Sequence, residues 1–158
     1  MKLSLISLVF CLLIAACSKK GTISNEMKEI PESGWAYNAV PDFVFGVQQP
    51  QIYHNIYLKL RVKKNYPYEN LYLLAHLKDA DGKEKAQKVN FTLTDVSGKP
   101  MGDISGDHID YELPIFVNYR PSAGSGAYFI ALEQNMRDSV LMGVESVGIK
   151  VMEGEPIF

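Results

Sequence analysis

The segment Gly102-Asp103-Ile104-Ser105-Gly106-Asp107-His108-Ile109-Asp110 concentrates the groups that chemistry most often uses: carboxylates, an imidazole and a hydroxyl. Asp103, Asp107 and Asp110 offer hard oxygens of the kind Ca²⁺ takes, in sets of about six to eight. Their spacing does not match an EF-hand loop, and Asp, Gly and Ser are also what a tight turn between strands demands. The turn is therefore the stronger reading. Ser105, His108 and Asp110 contain the three groups of a hydrolytic triad. Lying so close along one strand, and without a strand-to-helix elbow, they cannot easily take triad geometry. The three histidines, His54, His76 and His108, fall in no spacing that would bring two onto one metal. His76 lies on the outward row of its strand beside Lys78, where solvent is its expected partner. No catalytic residue and no metal ligand set follows.

A different chemistry is written at the start of the chain. Lys2 precedes an apolar run from Leu3 to Ile14, interrupted only by Ser4 and Ser7. That run is about half of the roughly 20 apolar residues a lasting transmembrane helix needs. Ile14-Ala15-Ala16-Cys17 then sets small residues before a cysteine, and the combination resembles the bacterial lipobox. In that reading residues 1–16 are a removed signal peptide. The Cys17 thiol receives a diacylglyceryl group and becomes the new N-terminus, with further acylation, such as by palmitate. The alternative is an ordinary signal peptide with an incidental cysteine. Two or more acyl chains anchor stably where one does not, each buried methylene contributing about 0.8 kcal/mol. Of the two cysteines, Cys11 leaves with the leader and Cys17 is acylated, so no disulfide or thiolate chemistry is left. The acyl lipid is covalent, and no other cofactor is implied. Net charge is −2, which gives no reason to invoke nucleic acid.

Residues 17–34 read as the lipid anchor and a flexible tether. The stretch is polar, carries Lys19, Lys20, Gly21 and Ser24, and has an r.m.s. span on the order of 20 Å. Residues 35–158 form one domain, written in period two. Ile56, Leu58, Leu60 and Val62 alternate with Tyr57, Lys59, Arg61 and Lys63. The same alternation runs through Phe43, Phe45 and Val47, and through Leu71, Leu73, Ala75 and Leu77. Val89, Phe91 and Leu93 follow, then Ile109, Tyr111 and Leu113. Tyr128, Ile130 and Leu132 precede a last row of Val147, Ile149 and Val151. Asp79-Ala80-Asp81-Gly82-Lys83 and Ser97-Gly98-Lys99-Pro100 supply turns. Seven or eight short strands predict an all-β fold, an antiparallel β-sandwich with immunoglobulin-like or jelly-roll connections. A short helical turn is expected near Glu133 to Asp138. The face carrying Tyr57, Lys59, Arg61 and Lys63 reads as a solvated sheet face before it reads as a binding surface. Trp35 is expected to pin the tether to the body, with stacking on a sugar as the alternative.

Several blocks stand in a recognisable order. They are Phe43-Val44-Phe45-Gly46-Val47, Tyr66-Pro67-Tyr68-Glu69-Asn70-Leu71, Gln134-Asn135-Met136-Arg137, and Gly143-Val144-Glu145-Ser146-Val147-Gly148-Ile149. With the lipobox, this order resembles the GldH family of gliding-motility lipoproteins of the Bacteroidetes, from Cys17 to about Glu153. The chain departs from that pattern after Lys99, where Pro100-Met101 stand in place of an aromatic residue and Leu.

The resemblance implies a role and no reaction: a non-enzymatic accessory or assembly factor of the gliding and type IX secretion machinery. Its partners would be the membrane, through the lipid, and other envelope proteins. Tyr66, Tyr68 and Arg137 become candidates for a partner surface. Lys19 and Lys20 stand where exported surface lipoproteins of that phylum carry acids. That points to the periplasm-facing leaflet of the outer membrane. Asp138-Ser139-Val140 matches the short O-glycosylation pattern of the phylum, with Ser139 as acceptor. The alternative function is a glycan- or peptidoglycan-binding envelope lipoprotein.

Overall fold

Ile56, Leu58, Leu60 and Val62 are all buried, as alternation requires, and so are Leu71, Leu73, Ala75 and Leu77 on a second strand. These rows face each other across the core of a computed structural model that describes residues 21–158. The expected leader, Cys17, Lys19 and Lys20 lie outside the described residues. In chain order the strands are β1 (Gly21–Glu29), β2 (Trp35–Ala36), β3 (Asp42–Val47), β4 (Tyr53–Lys63), β5 (Asn70–Lys78), β6 (Glu84–Thr92), β7 (Asp103–Ser105), β8 (His108–Tyr119), β9 (Gly126–Gln134), β10 (Val140–Leu141) and β11 (Val144–Gly154). No helix occurs among the described residues.

One sheet has the order β1-β11-β4-β8-β7, and the other β3-β9-β5-β6. The short pair β2–β10 closes one end. Every pairing is antiparallel. Setting aside the short β2, β7 and β10, the first long strand pairs with the eighth, the second with the seventh, the third with the sixth and the fourth with the fifth. A ribbon of such pairs, wrapped on itself into two sheets, is a jelly roll. Of the two connection patterns open to the sequence, this is the one the chain adopts.

The inward rows match the expected ones with two adjustments, the first being Val89 on β6, which is only partly buried. Leu113 is only partly buried, because the β4–β8 register shifts around Ile56 and the strand turns both Ile115 and Phe116 inward. Asp79 closes its hairpin as expected: its Oδ1 accepts the Asp81 and Lys83 N–H groups at 3.1 and 2.9 Å. Asp95 does the same for the turn before Pro100, accepting from the Ser97 and Lys99 N–H groups. Pro100 bridges to Thr94, and Met101 is exposed beside it.

Two expectations are corrected. Residues 21–29, read as tether, are strand β1, paired with β11 from Gly21↔Glu153 to Glu29↔Ser146. Their polar composition is that of an edge strand, which needs little apolar surface when its backbone bonds go to a neighbour. The approach depends on Gly148, where a Cβ would lie 2.0 Å from the Glu26 carbonyl oxygen and 2.8 Å from Met27 Cα. The second correction is the helical turn near Glu133 to Asp138. β9 continues to Gln134 and the chain then bends without helix.

Trp35 is fully buried, its Nε1–H donating to the Ala39 carbonyl at 2.7 Å, so it plugs the core and offers no face to a sugar.

Gly148 and Gly46 both lie within strands, yet only the first is crowded. Gly148→Ala is expected to cost about 3 kcal/mol by overpacking. Gly46→Ala, whose Cβ would meet only Gln48 Nε2 at 3.7 Å, is expected to be neutral or to stabilise by about 0.5 kcal/mol. Urea denaturation of both variants checks the contrast, and equal costs would contradict it.

Candidate functional site

Two connections separated widely in sequence meet at one end of the four-stranded sheet. The first, between β4 and β5, carries Tyr66, Pro67 and Tyr68. The second, between β9 and β10, carries Asn135, Met136, Arg137 and Asp138. Tyr68 of the first and Asn135, Met136, Arg137 and Asp138 of the second join Asn70, Tyr72 and Lys88, on the outer face of β5 and β6, in lining an open cleft of about 640 Å³.

The first connection is held by its aromatic rings. Tyr66 donates its hydroxyl to the Asn70 carbonyl at 3.2 Å and meets the Tyr68 ring edge-on, with centroids 5.9 Å apart. Burial pushes the Tyr66 hydroxyl far above its ordinary titration range. Gly143, which has a positive φ of 84°, lets this segment pack close: a Cβ there would lie 3.3 Å from Tyr66 Cα. Tyr68 donates its hydroxyl to Asp138, and that bond raises its pKa, because a phenolate would face a carboxylate.

The second connection is organised by Gln134, which is 1% exposed. Its Oε1 accepts the Met136 N–H and its Nε2 donates to the Asp138 carbonyl, both at 2.9 Å. The Asn135 N–H donates to the Tyr72 carbonyl at 2.8 Å, and the Tyr72 N–H donates to Met136 Sδ at 3.2 Å. The loop is thus stitched to the end of β5, and Arg137 projects as an exposed cation. Lys88 stands 5.9 Å over the Tyr72 ring. The cleft offers hydrogen bonds, an aromatic face and two positive charges: the means to bind.

The family model described as GldH lipoprotein matches residues 22–151. The chain belongs to the GldH lipoprotein family. It is 25% identical to the gliding motility lipoprotein GldH of Flavobacterium johnsoniae, over 92% of this chain and 93% of that protein. It is 24% identical to a GldH homolog of Christiangramia forsetii, over 91% of each. The matched span begins inside β1, so the family domain includes the strand that composition alone had assigned to a tether.

In this GldH-family chain, Tyr68 and Arg137, offered as a partner surface by the resemblance, both line the cleft, and Tyr66 packs against the Tyr68 ring. Gln134 stands in the Gln-Asn-Met-Arg motif, and its place three residues before Arg137 is the sequence signal of its role. Ser139 is exposed in the same β9–β10 connection, and its carbonyl accepts the Tyr37 N–H at 2.9 Å.

The other candidates disperse. Asp103, Asp107 and Asp110 belong to the β7–β8 hairpin, where Asp103 lies opposite Asp110 and Ser105 opposite His108. Both Asp110 oxygens take the Arg61 guanidinium, at 2.7 and 2.9 Å, and this lowers the carboxyl pKa. No group of three or more potential ligands gathers among the described residues. His108 Nε2 is 3.9 Å from Asp110, too far for a triad hydrogen bond. His76 pairs with Glu133 at 3.2 Å on the outer face. On the opposite sheet Arg61 of the basic row is paired with Asp110, Lys59 donates to the Asn25 amide oxygen, and neighbouring Lys150 bonds Glu112.

His54 is the exception to this surface pattern. It is fully buried, its Nδ1 is 3.2 Å from the Ile52 carbonyl, and its Nε2 has no hydrogen-bond partner, Glu153 being 3.8 Å away. Desolvation lowers its pKa, against the pull of Ile52 and Glu153. The unfolded chain then binds the extra proton first. The contribution of neutral His54 is complete above about pH 6.5 and is lost as pH falls below that value. His54→Leu is expected to flatten the loss of stability between pH 7 and 5. Denaturant midpoints across that range check this, and an unchanged slope would contradict it.

Gln134→Leu removes both bonds that shape the loop. It is expected to cost about 2 kcal/mol, from buried backbone groups left unpaired, and to speed amide exchange at Met136. Retained protection at Met136 would show that the loop holds without Gln134.

Proposed function

We propose that this GldH-family lipoprotein acts without catalysis, as an accessory or assembly factor of the gliding and type IX secretion machinery. It is held on the outer membrane by acyl chains on Cys17 and faces the periplasm. The observation that carries this reading is the cleft, where the Tyr66–Tyr68 and Gln134–Arg137 stretches of the family pattern converge into a surface equipped to bind. The relatives' names support the assignment to motility. The glycan-binding alternative is weakened by the burial of Trp35 and rests on Tyr72 alone among the cleft aromatics with an exposed face.

The geometry also sets the stance of the domain. Only Ser18, Lys19 and Lys20 separate Cys17 from the first residue of β1. The fully extended reach from Cys17 to Gly21 is at most about 14 Å. An anchor at Cys17 therefore holds the Gly21 end of the five-stranded sheet near the bilayer. Gly21 pairs with Glu153, which pairs with His54 near the start of β4, whereas the cleft lies beyond the other end of that strand. β4 has 11 residues, a rise of about 36 Å. The cleft is thereby presented to the partners that pass above the membrane.

Cys17→Ser is expected to release the protein from the outer-membrane fraction. A strain lacking the gene should lose colony spreading or secretion of surface proteins, with rescue by the natural chain and failure of rescue by Cys17→Ser. Spreading and secretion left intact in the deletion strain would contradict the proposed role. Membrane retention of Cys17→Ser would contradict the anchor alone.

A further inference from the structure

The two outer faces of the sandwich are built differently. On the five-stranded sheet, Arg61 and Lys150 are each bound by a carboxylate. On the four-stranded sheet, Val44 and Phe129 stand directly opposite each other, 47% and 43% exposed. The surface between them and the cleft includes Ala131 and Leu74, on the same face as Tyr72. The cleft lining carries two cations, Lys88 and Arg137, against one carboxylate, Asp138. Among the described residues, neither Lys88 nor Arg137 has a carboxylate within 4.0 Å, whereas Lys28, His54, Arg61, His76, His108 and Lys150 each have one. The one acid in the lining, Asp138, is engaged by the Tyr68 hydroxyl.

We infer that the cleft binds an extended acidic segment of a partner protein, one whose carboxylates meet Arg137 and Lys88 while neighbouring apolar side chains lie on Tyr72 and Met136. The inference rests on the non-catalytic binding role proposed above and names the chemistry of its partner. Arg137 presents a planar fork that takes a carboxylate through two parallel bonds, and Lys88 adds a point charge at the far wall. Tyr72 and Met136 supply the apolar floor that anchors side chains between the charges. Met136 is fixed by the Tyr72 N–H, and the Met136 N–H by Gln134, so the floor is ordered before a ligand arrives. The sheet face runs on from Tyr72 past Leu74 and the His76–Glu133 pair to Phe129 and Val44, a length that suits an extended chain better than a compact sugar. Charge complementarity of this kind speeds encounter and is screened by salt.

The test uses the full chain, isotopically labelled and held in detergent micelles, with an eight-residue peptide of alternating Glu and Val. An isosteric control peptide carries Gln in place of Glu. The acidic peptide is expected to shift the amide signals of Tyr72 and of Asn135 to Asp138. The Gln peptide should bind at least tenfold more weakly. Arg137→Glu should weaken the acidic peptide at least tenfold and Lys88→Glu at least threefold. Lys83→Glu, a matched charge change at the opposite end of the domain, should leave it unchanged. All three side chains are exposed, so the variants retain the fold. Equal binding of the two peptides, or shifts confined to the Arg61 and Lys150 face, would overturn the inference. So would tighter binding of an oligouronate through the same residues, or no shift at millimolar peptide. Failure here with intact rescue of spreading would remove the acidic partner and leave the motility role standing.

Discussion

The two ends of the domain are joined by a backbone contact at Gly148, and the jelly roll closes on it. β11 is the strand on which the five-stranded sheet turns, pairing with β1 on one side and β4 on the other. Its inward Val147, Ile149 and Val151 are fully buried. The outer strand can pair closely only because residue 148 has no side chain to meet Glu26 and Met27. This closure makes residues 21–29 part of the body. It also leaves only Ser18, Lys19 and Lys20 between β1 and Cys17, so under the proposed anchoring the stance of the domain depends on one glycine in its last strand.

A second glycine and a glutamine do for the cleft what Gly148 does for the sheet. Gly143 admits the Tyr66–Pro67 backbone, and Gln134 ties down the loop that carries Met136 and Arg137. Three blocks that identify the family by their order along the chain thus have physical reasons. The closing Gly-Val-x-x-Val-Gly-Ile strand serves the two close approaches. The Gln-x-Met-Arg run holds a loop, and the Tyr-Pro-Tyr block builds the opposing wall. Among the residues that line the cleft, Lys88 and Arg137 are the cations that no carboxylate among the described residues holds within 4.0 Å. Cations that no carboxylate holds are the ones free to select a partner.

The core was legible because burial on one face of a strand imposes period two, and Ile56 to Val62 or Tyr128 to Leu132 obey it without interruption. β1 was not legible, since an edge strand draws its stability from a neighbour's backbone and can be polar throughout. Trp35, read as a pin between tether and body, is drawn into the core as β2 pairs with Val140 and Leu141, a contact across about a hundred residues that local patterning does not encode. The bend after β9 is not helical because Gln134 takes the Met136 N–H and the Asp138 carbonyl through its side chain, which local propensity does not report. Tyr66, Tyr68 and Arg137 were each legible from the family pattern. Their meeting was not, because Tyr68 and Asp138 are 70 residues apart and the wrapping of the ribbon brings them together.

The account stands most directly on where partners touch the protein in its own membrane. A photo-crosslinking amino acid placed at Tyr72, in the cleft, can be compared with the same group at Tyr57, on the charge-paired sheet. Crosslinked peptides would be sequenced from native envelopes. The account predicts adducts from Tyr72 to an acidic stretch of a motility or secretion component, and few from Tyr57. Adducts concentrated at Tyr57, or adducts from Tyr72 only to lipid, glycan or a second copy of the chain, would contradict it.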